Sequence, residues 1–215
     1  MAKYNVTGDQ HFGITGRVLE IQRQIRLKGG SPIDPELVAL ALQDIIEGKF
    51  HHTQAFKADN AILRLISKGE TIVIDACDGS ETLVSAKDVF NSDIDGDFKN
   101  LDTNKPGIAT KEQAVDVHEL VKDATFAQMF GSLGTDLDKL CLTQSQIKNF
   151  CKKHPEWLRQ NGYATFFLFK VKGQFFVADV RVLSDGLVVD VPRFEHDYVW
   201  CAEYSHRLVV PQRNA

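Results

Sequence analysis

The sequence predicts an α+β fold: a helical N-terminal half with a small β-hairpin, and a C-terminal antiparallel β-meander packed against helices. Two observations support this prediction. Apolar residues near the N-terminus recur at helical spacing, at Ile14, Val18, Ile21 and Ile25. The segment 164–210 instead alternates apolar runs with glycine turns, as antiparallel strands do. Helices should therefore come first along the chain and the sheet last.

Two helices are expected in the first fifty residues, as a helical hairpin. The first should cover residues 14–28, after a frayed segment 1–13, and a glycine pair ends it. The second should begin with Asp34 as its N-cap and Pro35 in its first turn. An aspartate there can accept a free backbone N–H, and proline has no N–H to leave unpaired.

A small β-hairpin is expected next. After a short helix over 60–67, β-branched residues alternate in a strand over 71–76. An Asp-Gly turn would then return the chain as a partner strand over 81–84. Residues 91–107 are polar and rich in Asp, Asn and Gly, so a long surface loop or linker should follow the hairpin.

Further helices are expected before the meander. Thr110 and Gln113 have the spacing of a capping box, in which each side chain bonds the other residue's backbone N–H. Thr143 and Gln146 have the same spacing and predict a second helix with Ile147 buried. The inward residues of the first helix are expected to be Val117, Leu120, Val121 and Ala124.

The C-terminal meander is expected to form the structural core. Glycine turns at 172–173 and 185–186 separate its strands, and a fourth strand could follow before Val210. Large apolar side chains alternate along these strands, so one set should face the helices. The residues expected to point inward are Phe167, Phe169, Phe176 and Val180.

The length of 215 residues predicts a single domain over 1–215, or alternatively a helical subdomain 1–70 joined to an α+β core 71–215. The apolar runs are too short to span a membrane, and the N-terminus carries no apolar signal segment. We therefore expect a cytoplasmic protein. Its four cysteines are few and widely spaced, so they are expected to be reduced thiols.

Charge is distributed unevenly along the chain, although the net charge is only −4. Residues 71–138 hold five basic and fourteen acidic residues, a charge of −9. Residues 139–172 hold seven basic residues and one acidic residue, a charge of +6. A helix in the basic segment could present an open positive face to a partner, or the acidic segment could fold against it and neutralise it. The candidate partner-binding residues are Lys148, Lys152, Lys153 and Arg159.

No metal or cofactor site is expected. Asp93, Asp95 and Asp97 have a calcium-like spacing, but the sixth and twelfth positions of the loop hold Phe98 and Asn104 instead of Gly and Glu. The cysteines and histidines match no standard zinc module. The sequence also lacks a nucleophile elbow, a phosphate-binding glycine loop and a His-Glu-x-x-His motif, so an enzyme is not the favoured interpretation.

Four stretches carry a resemblance to a known family. They are Ser-Ala-Lys-Asp-Val-Phe at 85–90, Leu-Val-Lys-Asp-Ala-Thr-Phe-Ala-Gln-Met-Phe-Gly-Ser-Leu at 120–133, Gly-Tyr-Ala-Thr-Phe-Phe-Leu-Phe-Lys-Val at 162–171 and Arg-Leu-Val-Val-Pro-Gln at 207–212. From residue 71 onward the chain resembles an uncharacterised family of bacterial proteins, while residues 1–70 match it less clearly. The resemblance implies no activity, ligand or catalytic residue.

These features favour a non-catalytic cytosolic binding or regulatory module. It would engage a macromolecular partner through its segregated charge, with a protein partner favoured over nucleic acid and no membrane involved. The alternative is a small hydrolase-type enzyme that uses Asp, His or Cys residues near the C-terminal sheet. A pocket gathering Asp179, Arg181, His196 or His206 with a perturbed pKa would favour the enzyme, and a flat charged face would favour binding.

Overall fold

The structure is a computed structural model that divides the chain into two compact units, residues 1–57 and 58–215. It describes four stretches of the chain: 8–27, 30–31, 34–46 and 61–212. No helix within these stretches is long and apolar enough to cross a membrane. The single domain over 1–215 stays a prediction.

The N-terminal unit contains two helices, α1 (Gly8–Ile25) and α2 (Pro35–Ile46). The second begins as predicted, because Asp34 Oδ1 accepts a backbone N–H of the first turn at 2.9 Å. The first starts earlier than predicted. The expectation of a frayed segment is therefore wrong for residues 8–13, and residues 1–7 lie outside the described part.

The C-terminal unit is built on one eight-stranded mixed sheet. Its strands are β1 (Leu63–Leu65), β2 (Ile72–Ile74), β3 (Asp93–Ile94), β4 (Gln113–Leu120), β5 (Ala164–Val171), β6 (Gln174–Leu183), β7 (Gly186–Asp190) and β8 (Arg207–Pro211). Its helices are α3 (Asp97–Asn100), α4 (Phe126–Leu133) and α5 (Gln144–Lys153). The strand order is β1-β4-β8-β5-β6-β7-β3, and β2 also pairs with β4.

The fold class predicted from the sequence is therefore wrong. Four strands, β1 to β4, lie in the region expected to be mostly helical, and they belong to the same sheet as the C-terminal strands. β5, β6 and β7 are consecutive antiparallel neighbours. However, β8 pairs in parallel with the other edge of β5, and β3 pairs in parallel with β7. Pairing between early and late strands makes a mixed sheet, and local sequence patterns do not reveal such pairing.

The helix expected after Thr110 is the strand β4. Val115 and Val117 are buried in the core on one face of the sheet, whereas Leu120 is buried in the core on the other face. The apolar pattern is thus that of a strand with both faces covered. Gln113, expected to cap a helix, donates its side-chain N–H to the neighbouring backbone carbonyl instead.

Three other local predictions are also wrong. The segment 60–67, expected to be helical, contains β1 in its described part. The predicted strand near 71–76 exists as β2, but its partner is β4. Residues 81–84 instead form turns and bury Leu83. The expected surface loop over 91–107 contains β3 and α3 and buries Phe98. Ile94 and Leu101 pack against the same core, so three apolar residues in a mostly polar segment are enough to hold it against the sheet.

Both faces of the sheet are covered by apolar cores. α5 packs against the first face, and its N-terminus carries the predicted capping box between Thr143 and Gln146. α4 packs against the second face and has a capping box of its own. The four residues expected to point inward are all buried in the first core, as predicted: Phe167, Phe169, Phe176 and Val180. Residues in the second core include Phe126, Phe130, Phe166 and Leu168.

Candidate active site

A cleft of about 430 Å³ opens where the ends of β3 and β7 meet the aromatic residues of the second core. Four aspartates and three aromatic side chains give it an unusual combination of negative charge and apolar surface. Its lining consists of Asp95, Asp97, Phe126, Asp179, Asp190, Val191, Pro192, His196, Tyr198 and Trp200.

The register of the sheet aligns three of these aspartates across neighbouring strands. Asp179 on β6 stands directly opposite Asp190 on β7. Asp95 follows the end of β3, and its backbone N–H donates to the Val189 carbonyl at 3.0 Å, which brings it alongside β7. The sheet therefore brings three carboxyl groups from separate parts of the chain into the lining of one cleft.

Asp95 is held in place by the backbone around it. Its Oδ2 accepts the N–H of Val191 at 3.3 Å, and its Oδ1 accepts the N–H of Asp97 at 2.9 Å. These bonds use both oxygens of the side chain. Asp95 therefore shapes the wall of the cleft and contributes negative charge to it.

Asp179 lies in a very different environment. Only 4% of its surface is exposed, and its cross-strand neighbour on β5 is Phe166. Its Oδ1 has no hydrogen-bond partner among the described residues, and the nearest cation, Arg181 Nε, is 3.6 Å away. Burial raises the pKa of Asp179 to about 6, and the positive charge of Arg181 only partly opposes this rise. Asp179 is thus a carboxyl group that retains its proton in mildly acidic solution.

Asp190 is paired more closely with Arg181 than Asp179 is, and it is more exposed. The guanidinium Nη2 of Arg181 contacts Asp190 Oδ2 in an ion pair, and the side chain of Asp190 is 27% exposed. Two neighbouring carboxyl groups therefore have unlike surroundings, one buried beside an aromatic ring and the other in contact with a cation. Such a difference in environment is how enzymes obtain an acid and a carboxylate from the same residue type.

The aromatic wall is centred on Trp200, which is fixed by backbone bonds with Ala124 at 2.9 and 3.2 Å. Its ring lies 5.5 Å from Phe126, 4.6 Å from Phe166 and 5.1 Å from Tyr198. Tyr198 is 56% exposed and so presents its ring to solvent at the cleft. The wall therefore combines a rigid buried part with one accessible ring.

His196 also lines the cleft, and its ring lies 6.4 Å from that of Tyr198. Its Nδ1 accepts the backbone N–H of Tyr198 at 3.1 Å, which orients the imidazole. Its own backbone N–H donates to the Arg193 carbonyl at 3.2 Å. Among the described residues, Arg181 is the basic residue that forms ion pairs with two of the four aspartates of the cleft, so the site keeps a net negative charge in either protonation state of Asp179. In the part of the chain that the structure describes, no group of three or more acidic, histidine or cysteine side chains is arranged to hold a metal ion.

The sequence-predicted partner-binding residues fall into two places. Three of them lie together on α5 and form ion pairs with acidic residues of the segment 71–138. The pairs are Lys148 with Glu81 and Asp88, Lys152 with Asp88, and Lys153 with Asp75. Arg159 lies apart from them, where its Nε donates to the Tyr204 carbonyl at 2.9 Å and its guanidinium lies 5.1 Å from the Tyr163 ring.

The residues suggested for an enzyme are also divided. Asp179 and His196 line the cleft with Arg181 beside them, but His206 is not among the lining residues. His206 is buried, its Nδ1 accepts the Ala164 N–H at 3.1 Å, and burial lowers its pKa to about 4. It therefore serves as a neutral core histidine.

Three of the four cysteines do not have the properties of nucleophiles. Burial raises the pKa of Cys77, raises that of Cys141 to about 12, and raises that of Cys151 further. A reactive cysteine requires the opposite shift, because the thiolate is the nucleophile. The structure therefore gives no support to Cys77, Cys141 or Cys151 as the nucleophile of an enzyme.

Sequence reasoning missed Asp190, Tyr198 and the cleft position of Asp95. A signal for Asp190 was present, since an aspartate ends the apolar strand β7, but its partner across the sheet is set by register. Comparison with family models, with curated proteins and with solved structures found no match for this chain. The resemblance to an uncharacterised bacterial family therefore stays a prediction.

Proposed function

We propose that the cleft is the active site of a small hydrolase-type enzyme in which Asp179 exchanges a proton with the reacting group. The observation that supports this most directly is the contrast between Asp179 and Asp190. They stand opposite each other on neighbouring strands and both face Arg181. Asp179 is buried and its Oδ1 accepts no hydrogen bond from the described residues, whereas Asp190 is partly exposed and in closer contact with the guanidinium. Hydrolases that work with two carboxyl groups use one as the acid and the other as a carboxylate.

Each group takes its role from its surroundings. Asp179, with its pKa raised to about 6, can donate a proton in mildly acidic solution and take one up again afterwards. Asp190 is in an ion pair with Arg181, so its oxygens are held in position to orient a water molecule or to stabilise a developing positive charge. Arg181 acts through Asp190 and is therefore a positioning residue.

A binding module that uses the basic segment is less well supported. The lysines of α5 already pair with acidic residues, so that face offers little free positive charge. The cleft, in turn, repels polyanions such as nucleic acid. A macromolecular partner accordingly stays a prediction. We retain the cytoplasm as the proposed location, because the four cysteines are free thiols, which suits a reducing compartment.

The experiment is a hydrolysis screen with chromogenic glycosides, esters, peptides and phosphoesters between about pH 4 and pH 8. At least one class should be hydrolysed, and Asp179→Asn should lower the rate by about 100-fold or more, because the proton donor is lost. Asp93→Asn is the matched control: Asp93 is exposed on β3 and does not line the cleft. An Asp179→Asn variant as fast as the wild type, or no hydrolysis of any class, would overturn the proposal.

A further inference from the structure

We infer that the substrate is a neutral carbohydrate and that the bond hydrolysed is a glycosidic C–O bond. This inference rests on the proposed function, since it assigns a substrate class to the same cleft. Three features of the cleft support it: its negative charge, its pair of unlike carboxyl groups and its aromatic wall.

The charge of the cleft selects the type of reaction. Acyl and phosphoryl transfer build negative charge on oxygen, which must be met by positive or N–H donor groups. Here Asp95, Asp97 and Asp190 surround the reacting region, and the guanidinium of Arg181 is already paired. Hydrolysis of a glycosidic bond instead builds positive charge on the sugar ring, and the aspartates stabilise that charge.

The pair of carboxyl groups supplies the two functions that this reaction needs. Asp179 donates its proton to the glycosidic oxygen as the bond from that oxygen to the anomeric carbon breaks, so the leaving sugar departs as a neutral alcohol. Asp190 stabilises the positive charge left on the ring. Water then adds its oxygen to the anomeric carbon, and its proton returns to the Asp179 carboxylate. One water molecule is consumed and the enzyme is regenerated.

The aromatic wall suits the apolar face of a sugar ring. Tyr198 presents an exposed ring, and Trp200 and Phe126 continue the apolar surface behind it. Sites for small molecules combine such surfaces with a few polar groups that fix orientation, and here carboxylates are placed to accept hydroxyl hydrogen bonds. The negative charge disfavours acidic sugars, so the substrate is expected to be neutral.

Binding can be measured through Trp200, because the chain contains only two tryptophans. In a Trp157→Phe variant, Trp200 is the single tryptophan and reports directly on the cleft. Titration with neutral oligosaccharides of glucose, xylose and N-acetylglucosamine should change its fluorescence for at least one of them. An oligogalacturonate of equal length should bind at least about tenfold more weakly, as expected for an anion in an acidic site.

The Tyr198→Ala variant tests whether the aromatic wall contributes to carbohydrate binding. Tyr198 is exposed, so its removal should leave the melting temperature unchanged, while the affinity for the bound oligosaccharide should fall by about tenfold. Leu183→Ala, an exposed change that lies outside the cleft lining, should not alter the affinity. Equal affinity of the wild type and Tyr198→Ala would contradict the inferred role of the wall.

The hydrolysis screen separates the two proposals. Glycoside hydrolysis that is lost in Asp179→Asn and declines above about pH 6 supports both. Hydrolysis of esters, peptides or phosphoesters that depends on Asp179, with no action on glycosides, would overturn the carbohydrate assignment and leave the proposed function intact. No hydrolysis that depends on Asp179, for any class, would overturn both.

Discussion

At the scale of single residues, the protein places one carboxyl group where charge is costly. Asp179 is almost fully buried and lacks a hydrogen-bond partner at Oδ1 among the described residues, so the ionised form loses hydration that the nearby Arg181 replaces only in part. Natural sequences keep such groups rarely, and perturbed titrating groups cluster at functional sites. A purely structural position would be better served by an apolar residue or by asparagine.

This cost gives a stability prediction for Asp179→Asn. The pKa is about 6 in the folded state against 3.8 ordinarily. The stabilising contribution of Asp179 is therefore fully present below about pH 4 and is lost as the pH rises to about 6, a change of about 3 kcal/mol. Relative to the wild type, Asp179→Asn should gain stability over this range and keep the gain at higher pH. Urea denaturation at a series of pH values measures the difference.

Asp93→Asn provides the control for this prediction. Asp93 is the same residue type on the same side of the sheet, but it is exposed. Its effect on the free energy of unfolding should be small at every pH. If Asp179→Asn gave an equally flat profile, the buried carboxyl group would have to be ionised throughout, contrary to our interpretation.

At the scale of elements, α5 is bound to the rest of its unit by charge as well as by its apolar face. Its three lysines pair with Glu81, Asp88 and Asp75, which lie more than sixty residues earlier in the chain. The side chain of Lys148 is only 12% exposed, so its pair is better shielded from water than a usual surface pair. The charge segregation seen in the sequence is therefore satisfied within the molecule.

Replacing Lys148, Lys152 and Lys153 together by Glu should lower the melting temperature by several degrees, because three attractive pairs become repulsive. Thermal denaturation at low and high salt measures this, and salt should reduce the difference. The control replaces Lys87, Lys99 and Lys111, exposed lysines that pair with no acid in the described part of the chain. If both triple variants had the melting temperature of the wild type, the ion pairs on α5 would contribute nothing to the stability of the fold.

At the scale of the whole molecule, local patterns predicted part of the fold. The hairpin between β5 and β6 was predictable because Lys172 and Gly173 both adopt positive φ in a two-residue turn, which the Lys-Gly sequence allows. The capping box between Thr143 and Gln146 was predictable because it depends only on two residue types three positions apart. The strand β4 was not predictable from such local patterns. Val115 and Val117 are buried on one face of the sheet and Leu120 on the other, and apolar residues spaced in this way also fit a helix.

The candidate site was predictable only in fragments. Asp179 and His196 were singled out together, but their association with Asp95 and Asp190 depends on β3 pairing in parallel with β7 across more than ninety residues. Nothing in the sequence near Asp95 indicates that partner. The cleft is thus a product of sheet register, and register between distant strands is set by the whole core.

The sheet core gives a prediction at this scale. Phe169 and Phe176 are cross-strand partners with ring centroids 5.8 Å apart, and both are buried in the first core. Truncating either to alanine should lower the free energy of unfolding by about 3–5 kcal/mol, because a large cavity is left between two strands. Phe175→Ala should lower the free energy of unfolding clearly less, because Phe175 is only partly buried. Unchanged unfolding midpoints for both core variants would show that the strands are assigned incorrectly.

The protonation of Asp179 is the measurement that tests our central claim most directly. The carboxyl carbon of Asp179 can be followed by ¹³C NMR in protein labelled at aspartate, with its signal assigned by its absence in Asp179→Asn. We expect a titration midpoint at about pH 6, well separated from the exposed aspartates. A midpoint at the ordinary aspartate value of about 4 would contradict the claim, because Asp179 would then be a plain carboxylate and could not act as the acid of the cleft.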